Sequence, residues 1–187
     1  MSPREGTAPG LGEGAGYSPD VTADELERAV RRLVDKDEIV DLVHRYSYYV
    51  DHRLYDQLAG VVTEDCVIDY GPGIGPTLYG REAFRGMFGS DVGTESRPGF
   101  LFTSHHNANV LVSFEGDDRA SMFSSLYAWH QTYDGVTPRV WGAYHDVVVR
   151  TPEGWRFAER RLRVAGNENW AIEWLPPAPL DLPPPGL

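Results

Sequence analysis

The run from Phe102 to Val164 constrains this chain most. It reads as four long stretches of strand character, Phe102–Phe114, Ala120–Thr132, Val140–Arg150 and Trp155–Val164. Only short turn signals separate them: Gly116-Asp117-Asp118, Asp134-Gly135 and Pro152–Gly154. No helical stretch intervenes, so the strands are expected to form an antiparallel meander and not a series of βαβ units.

The first half has a different period. Thr22 and Glu25 have the spacing of a capping box. Leu26, Val30 and Leu33 follow at helical spacing, and Ile39, Leu42, Val43, Tyr46 and Val50 continue it beyond the charged break Asp35-Lys36-Asp37-Glu38. One bent helix or two is expected, ending near Asp51, with short helices around Leu54–Val61 and Glu82–Phe88 and a strand at Cys66–Tyr70. Helices first and a meander after predict an α+β domain over residues 21–175, its curved sheet packed on the N-terminal helices around a pocket. Residues 1–20, rich in Gly and Pro, are expected to be a disordered tail, and 176–187 a proline-rich one of polyproline character.

Composition narrows the function classes. Net charge is 17 − 28 = −11, which repels phosphate backbones and anionic lipid surfaces. A single cysteine, Cys66, rules out an internal disulfide framework and any cysteine-based zinc cluster. No apolar run reaches the roughly 18 residues of a membrane span, and the N-terminus lacks a basic start followed by an apolar stretch. A soluble, cytoplasmic protein with a small-molecule partner is the expectation, without nucleic acid or membrane. No phosphate loop or nucleophile elbow is present, and Gly71–Gly75 reads as a loop.

Among the six histidines, His105 and His106 are adjacent in a strand and must point to opposite faces, which argues against a shared metal. His105 shares its face with Thr103, Asn107 and Asn109, while His106 shares its face with Ala108, Val110 and Val112. If the apolar face packs on a core, the polar one meets solvent or lines a wet cavity. His44 and His52 are expected at the surface. Asp51 closes an apolar helix at the end where the dipole disfavours a carboxylate. It is either an ordinary helix-end residue or half of an Asp–His acid–base pair, in which the Asp orients the imidazole and the His moves the proton. Arg160 shares its face with Ala158, Leu162 and Val164 and is expected to point inward. It either pairs with an acid such as Asp146 or Asp51, or holds a substrate anion.

The stretches "DKDEIVDLVHRYSYYVDHRLYDQLAGVVTEDCVIDYG", "YGREAFRGMF", "TSHHNANVLVSFEGDDRA" and "WGAYHDVVVRTPEGWRFAERRLRV", in this order, resemble the SnoaL-like branch of the nuclear transport factor 2-like superfamily. That branch includes scytalone dehydratase, bile-acid dehydratases, the lindane dehydrochlorinase and polyketide cyclases. The resemblance implies a cone-shaped α+β barrel with a deep apolar pocket (a cystatin-like fold), often assembled as a homodimer or higher oligomer. It implies an Asp–His dyad of Asp51 and His105, assisted by Tyr46, His130 and Arg160, with no cofactor and no metal. A pocket wall of Tyr49, Phe102, Phe123, Trp129 and Trp141, with Asn107 as a polar contact, completes the expected site.

The function implied is a dehydratase or cyclase for a small, largely apolar molecule of secondary metabolism. The rivals are a non-catalytic binding domain of the same fold, a partner subunit, and a metal-dependent variant recruiting His105, His130 and Asp51. The segment carrying Trp170 and Trp174 is read as either a lid or an interface.

Overall fold

The computed structural model describes residues 21–71, 73–89 and 100–170; the two expected tails and Trp174 lie outside them. Nine elements follow one another: α1 (Ala23–Asp51), α2 (Tyr55–Ala59), β1 (Val62–Asp69), β2 (Leu78–Tyr79), α3 (Arg81–Gly89), β3 (Phe100–Phe114), β4 (Arg119–Thr132), β5 (Arg139–Thr151) and β6 (Gly154–Glu168). Contacts divide the chain between Leu33 and Val34.

In the first unit the expected capping box forms. The Thr22 N–H donates to Glu25 Oε2 at 2.8 Å, and the Glu25 N–H donates to Thr22 Oγ1 at 3.3 Å. Leu26, Val30 and Leu33 are exposed.

In the second unit α1 buries Asp35, Ile39, Leu42, Val43, Tyr46 and Ser47, a stripe at helical spacing. The charged break does not interrupt the helix, because its first residue is an anchor. Buried Asp35 accepts from Trp155 Nε1 at 3.3 Å and pairs with Arg150 at 2.7 Å. The helix ends in a Schellman motif: the Leu54 N–H donates to Tyr49 O at 2.9 Å and the Arg53 N–H to Val50 O at 3.2 Å.

The six strands form one sheet in the order β2-β1-β6-β5-β4-β3. β3, β4, β5 and β6 are the expected antiparallel meander; β6 pairs with β1 in parallel, and the two-residue β2 caps the far edge. The sheet is mixed and curled but not closed, with β2 and β3 as edges. One face carries the core: Ala120, Met122, Leu126 and Ala128 on β4, Val140, Tyr144 and Val148 on β5, and Phe157, Leu162 and Val164 on β6.

β3 departs from simple alternation, and the departure decides which of its faces is inside. The register runs from Ala108↔Ser125 to Leu111↔Phe123, one residue more on β3 than on β4, and Asn109 in the bulge has φ 52°. Before the bulge the odd residues Thr103, His105 and Asn107 face the core side. After it Val112, opposite buried Met122, faces the same way, and Val110 also packs on the core. The face expected to be apolar is therefore split. His106 and Ala108 are exposed, and the polar face enters the protein.

Candidate functional site

Asp51 lies in the last turn of α1, with its carboxylate against the start of β3. Oδ1 accepts from Thr103 Oγ1 at 2.9 Å and meets His105 Nδ1 at 2.7 Å, while Oδ2 accepts from the His105 backbone N–H at 2.9 Å. Both oxygens are thus held by one strand segment. Burial alone would raise the Asp51 pKa; the hydrogen bonds from His105 and Thr103 outweigh it and hold the carboxyl below its ordinary value. An ionised carboxylate only accepts, so Nδ1 of His105 carries the proton that faces Asp51; in the neutral ring the lone pair is then on Nε2.

A second rung lies beside the first. Asn107 Nδ2 donates to Ser47 Oγ at 2.5 Å, and Ser47 Oγ donates to Val43 O at 3.3 Å. Ser47 is four residues before Asp51 and Asn107 two after His105. A helix rises about 6 Å over four residues and a strand about 6.8 Å over two, so the two spacings match. Ser47 fixes the Asn107 amide, whose buried Oδ1 has no partner among the described residues.

On the neighbouring β4, His130 stands edge-on to His105, with ring centroids 5.2 Å apart. Phe100 at 4.7 Å and Trp170 at 4.6 Å also pack against it. Burial, reinforced by the His105 charge, drops the His130 pKa to about 3, so it is neutral at physiological pH. Its Nδ1 is buried and has no hydrogen-bond partner among the described residues.

Arg160 points inward as expected and is fully buried. Nη1 donates to Asp146 Oδ2 at 3.0 Å, and the guanidinium lies over Tyr144, Tyr46 and Phe157 at 3.6, 4.1 and 4.5 Å from their centroids. This is the structural pairing among the alternatives. Burial raises Asp146 to about 7 against the pull of Arg160. The Tyr46 hydroxyl is 2.5 Å from that of Tyr70. Tyr46 is five residues before Asp51, about 140° away around the helix, so it faces this cluster.

A family model described as a SnoaL-like domain matches residues 31–161. The chain belongs to the SnoaL-like family. An uncharacterised protein of Mycobacterium tuberculosis strain H37Rv is 30% identical over 135 residues, covering 71% of this chain and 86% of its own length. A candidate scytalone dehydratase from Novosphingobium aromaticivorans superposes with a TM-score of 0.69 at 27% identity, covering 80% of this chain and 96% of that one. Two more distant structures share the fold. A hexachlorocyclohexane dehydrochlorinase (LinA type 3) from Novosphingobium barchaimii has a TM-score of 0.65 at 20% identity, covering 80% and 99% of the two chains. A nuclear transport factor 2-like protein with a cystatin-like fold from Novosphingobium aromaticivorans has a TM-score of 0.60 at 20% identity, covering 79% and 92%.

In this SnoaL-like protein four residues of the expected pocket wall lie on the wrong face. Phe102 pairs with Gln131, Trp129 with Ser104, Trp141 with Tyr127 and Phe123 with His145, all on the side of the sheet opposite His105. Phe102 and Trp141 are exposed there. Strand parity decides this, since His105 and Trp129 differ in register by one residue. Tyr49 is half-buried against the core. The aromatic residues that pack on His130, which itself stands against His105, are Phe100 and Trp170. A bulge between Phe100 and Phe102 returns Phe100 to the inner face, which alternation from Phe102 could not show. Thr103 lies on the face of His105, as alternation implies, while Ser47 is a site residue that the sequence reading missed.

Of the remaining groups, His44 and His52 are exposed as expected, and burial pushes the Cys66 thiol up to about 11, which makes it a poor nucleophile. Among the described residues no three His, Cys, Asp or Glu side chains gather as a metal ligand set, and no helix is long and apolar enough to cross a membrane. An open surface groove of about 550 Å³ between α2 and α3 is lined by Arg53, Tyr55, Asp56 and Arg85 and includes no member of the dyad.

Proposed function

We propose that this SnoaL-like protein is an acid–base enzyme of lyase or isomerase type, acting on a small, largely apolar molecule through Asp51 and His105. One observation carries the reading: the carboxylate whose two oxygens are held by Thr103 and His105, with the imidazole at 2.7 Å. Asp51 fixes the ring and its tautomer and stabilises the imidazolium; Nε2 removes a proton from carbon next to a carbonyl. In an elimination the C–H electron pair becomes the new double bond, the leaving oxygen departs with its own bond pair, and His105 returns the proton to it as water. Neutral His130 hydrogen-bonds that oxygen, and Asn107 Oδ1 accepts from a substrate hydroxyl. A ring closure initiated by the same proton removal uses the same groups. Tyr46 and Arg160 hold the inner wall rather than touch substrate. The scytalone dehydratase and dehydrochlorinase assignments of the similar structures support an eliminating enzyme.

The test uses small β-hydroxy ketones bearing one or two rings, with the conjugated product followed by ultraviolet absorbance. His105→Ala and Asp51→Asn are expected to lower kcat by about 10²–10⁴-fold, the range of general acid–base catalysis. Turnover unchanged in both variants overturns the proposal. Tight binding of the same ketones without turnover in the native protein establishes the non-catalytic binding reading instead.

A further inference from the structure

Helix α1 ends on an unusual residue. Its Schellman motif places Arg53 in the left-handed region at φ 57°, a position where glycine is favoured because a Cβ crowds the following carbonyl. No loop-length argument calls for an arginine there, and strained conformations of this kind gather where the side chain or backbone has a task.

The side chain shows what the task is. Arg53 Nη2 donates to the backbone carbonyl of Phe100, and reaches that of Leu101 at 3.3 Å. These are the first two residues of β3, an edge strand whose one neighbour among the described strands is β4. A bulge separates Phe100 from Phe102. The strand start therefore has weak means of its own to hold position. Yet Thr103 and His105, two and four residues beyond Leu101, must meet Asp51, which is two residues before Arg53. Asp51 and Arg53 thus grip the same strand from one helix end, the carboxylate taking donors and the guanidinium taking acceptors. Phe100, whose carbonyl is held, also packs its ring on His130.

We infer that Arg53 is a positioning residue: from its left-handed seat it clamps the entry of β3 and so keeps His105 in register with Asp51. The bearing on catalysis rests on the proposed function, but the clamp itself is testable without any substrate. The His105 Nδ1–H that faces Asp51 gives a downfield proton resonance, assigned by its loss in His105→Ala. Arg53→Gly removes the guanidinium and at the same time relieves the φ strain. The helix end should persist, with Tm within a few degrees of native.

In Arg53→Gly the Nδ1–H is expected to exchange with solvent at least tenfold faster, or to broaden beyond detection. Arg53→Lys, which reaches one carbonyl with a single ammonium, should give an intermediate exchange rate. In the enzyme assay both variants should lower kcat more than they change KM. A native exchange rate in a folded Arg53→Gly or Arg53→Lys protein overturns the clamp. So does loss of the folded state in both variants, which would assign Arg53 to stability alone. The resonance appears whether or not the β-hydroxy ketones turn over, so failure of the clamp is distinct from failure of the proposed activity.

Discussion

At the residue scale, two titrating groups couple the site to stability with the same sign. The Asp51 pKa is lowered in the folded state, so its contribution is complete above the unfolded value of about 3.9 and is lost as pH falls through the folded one. His130 is held neutral, with its pKa dropped to about 3. Below about pH 6.5 the unfolded chain takes up a proton there that the folded chain refuses. Stability should therefore fall from about pH 6.5 towards pH 3, by up to about 1.4 kcal/mol per pH unit for this one group. Urea midpoints measured across that range check it. In His130→Leu the slope between pH 6.5 and 4 should flatten, leaving the steeper loss below pH 4 from Asp51 and the other carboxylates.

At the level of elements, the site depends on irregularities in otherwise regular strands. The bulge at Asn109 sends the polar start of β3 and its apolar end to the same side. A further bulge, between Trp141 and Gly142, lets Gly142 of β5 lie against β6 so closely that a Cβ there would sit 2.1 Å from the Arg163 carbonyl oxygen. That neighbour is backbone and cannot swing aside. Gly142→Ala should force β5 and β6 apart and destabilise by about 1–3 kcal/mol, the usual range for overpacking. Denaturant unfolding monitored by tryptophan fluorescence measures the loss. A change under about 0.5 kcal/mol would mean the two strands part freely at this point.

For the whole molecule, charge is unevenly spread. Residues 100–168 hold seven Arg and eight Asp or Glu, 7 − 8 = −1, so −10 of the net −11 lies elsewhere. On the outward face of the long strands Arg139 pairs with Glu168 at 2.6 Å, Arg161 with Glu159 at 2.7 Å and Arg163 with Asp69 at 3.1 Å. Among these pairs Leu111, Tyr127 and Trp141 are exposed. The four strands offer roughly 800 Å² on this face, about one side of a standard interface. Two acidic copies repel least here, so self-association through this face is the expected homo-oligomer. Light scattering should give a mass above 20.9 kDa for the native chain and a shift toward monomer in Trp141→Glu. A native monomer rules this out.

The sequence by itself determined what depends on local chemistry and on pattern period. The capping box at Thr22 and Glu25 forms, the four strands fall within a few residues of their expected bounds, and Arg160 points inward. The polar face carrying His105 could be read from alternation, and the SnoaL-like resemblance agrees with the matched family. Alternation carries a face assignment only until the first bulge and says nothing of which face is inside. For that reason Phe102, Phe123, Trp129 and Trp141 read as pocket wall while Phe100 and Trp170 hold the place beside His130. Only tertiary structure decided these positions, together with the Ser47–Asn107 rung and the reach of Arg53 to β3. Each is a contact between residues far apart in the chain, set by strand register around His130 and by how the end of α1 meets the edge of the sheet.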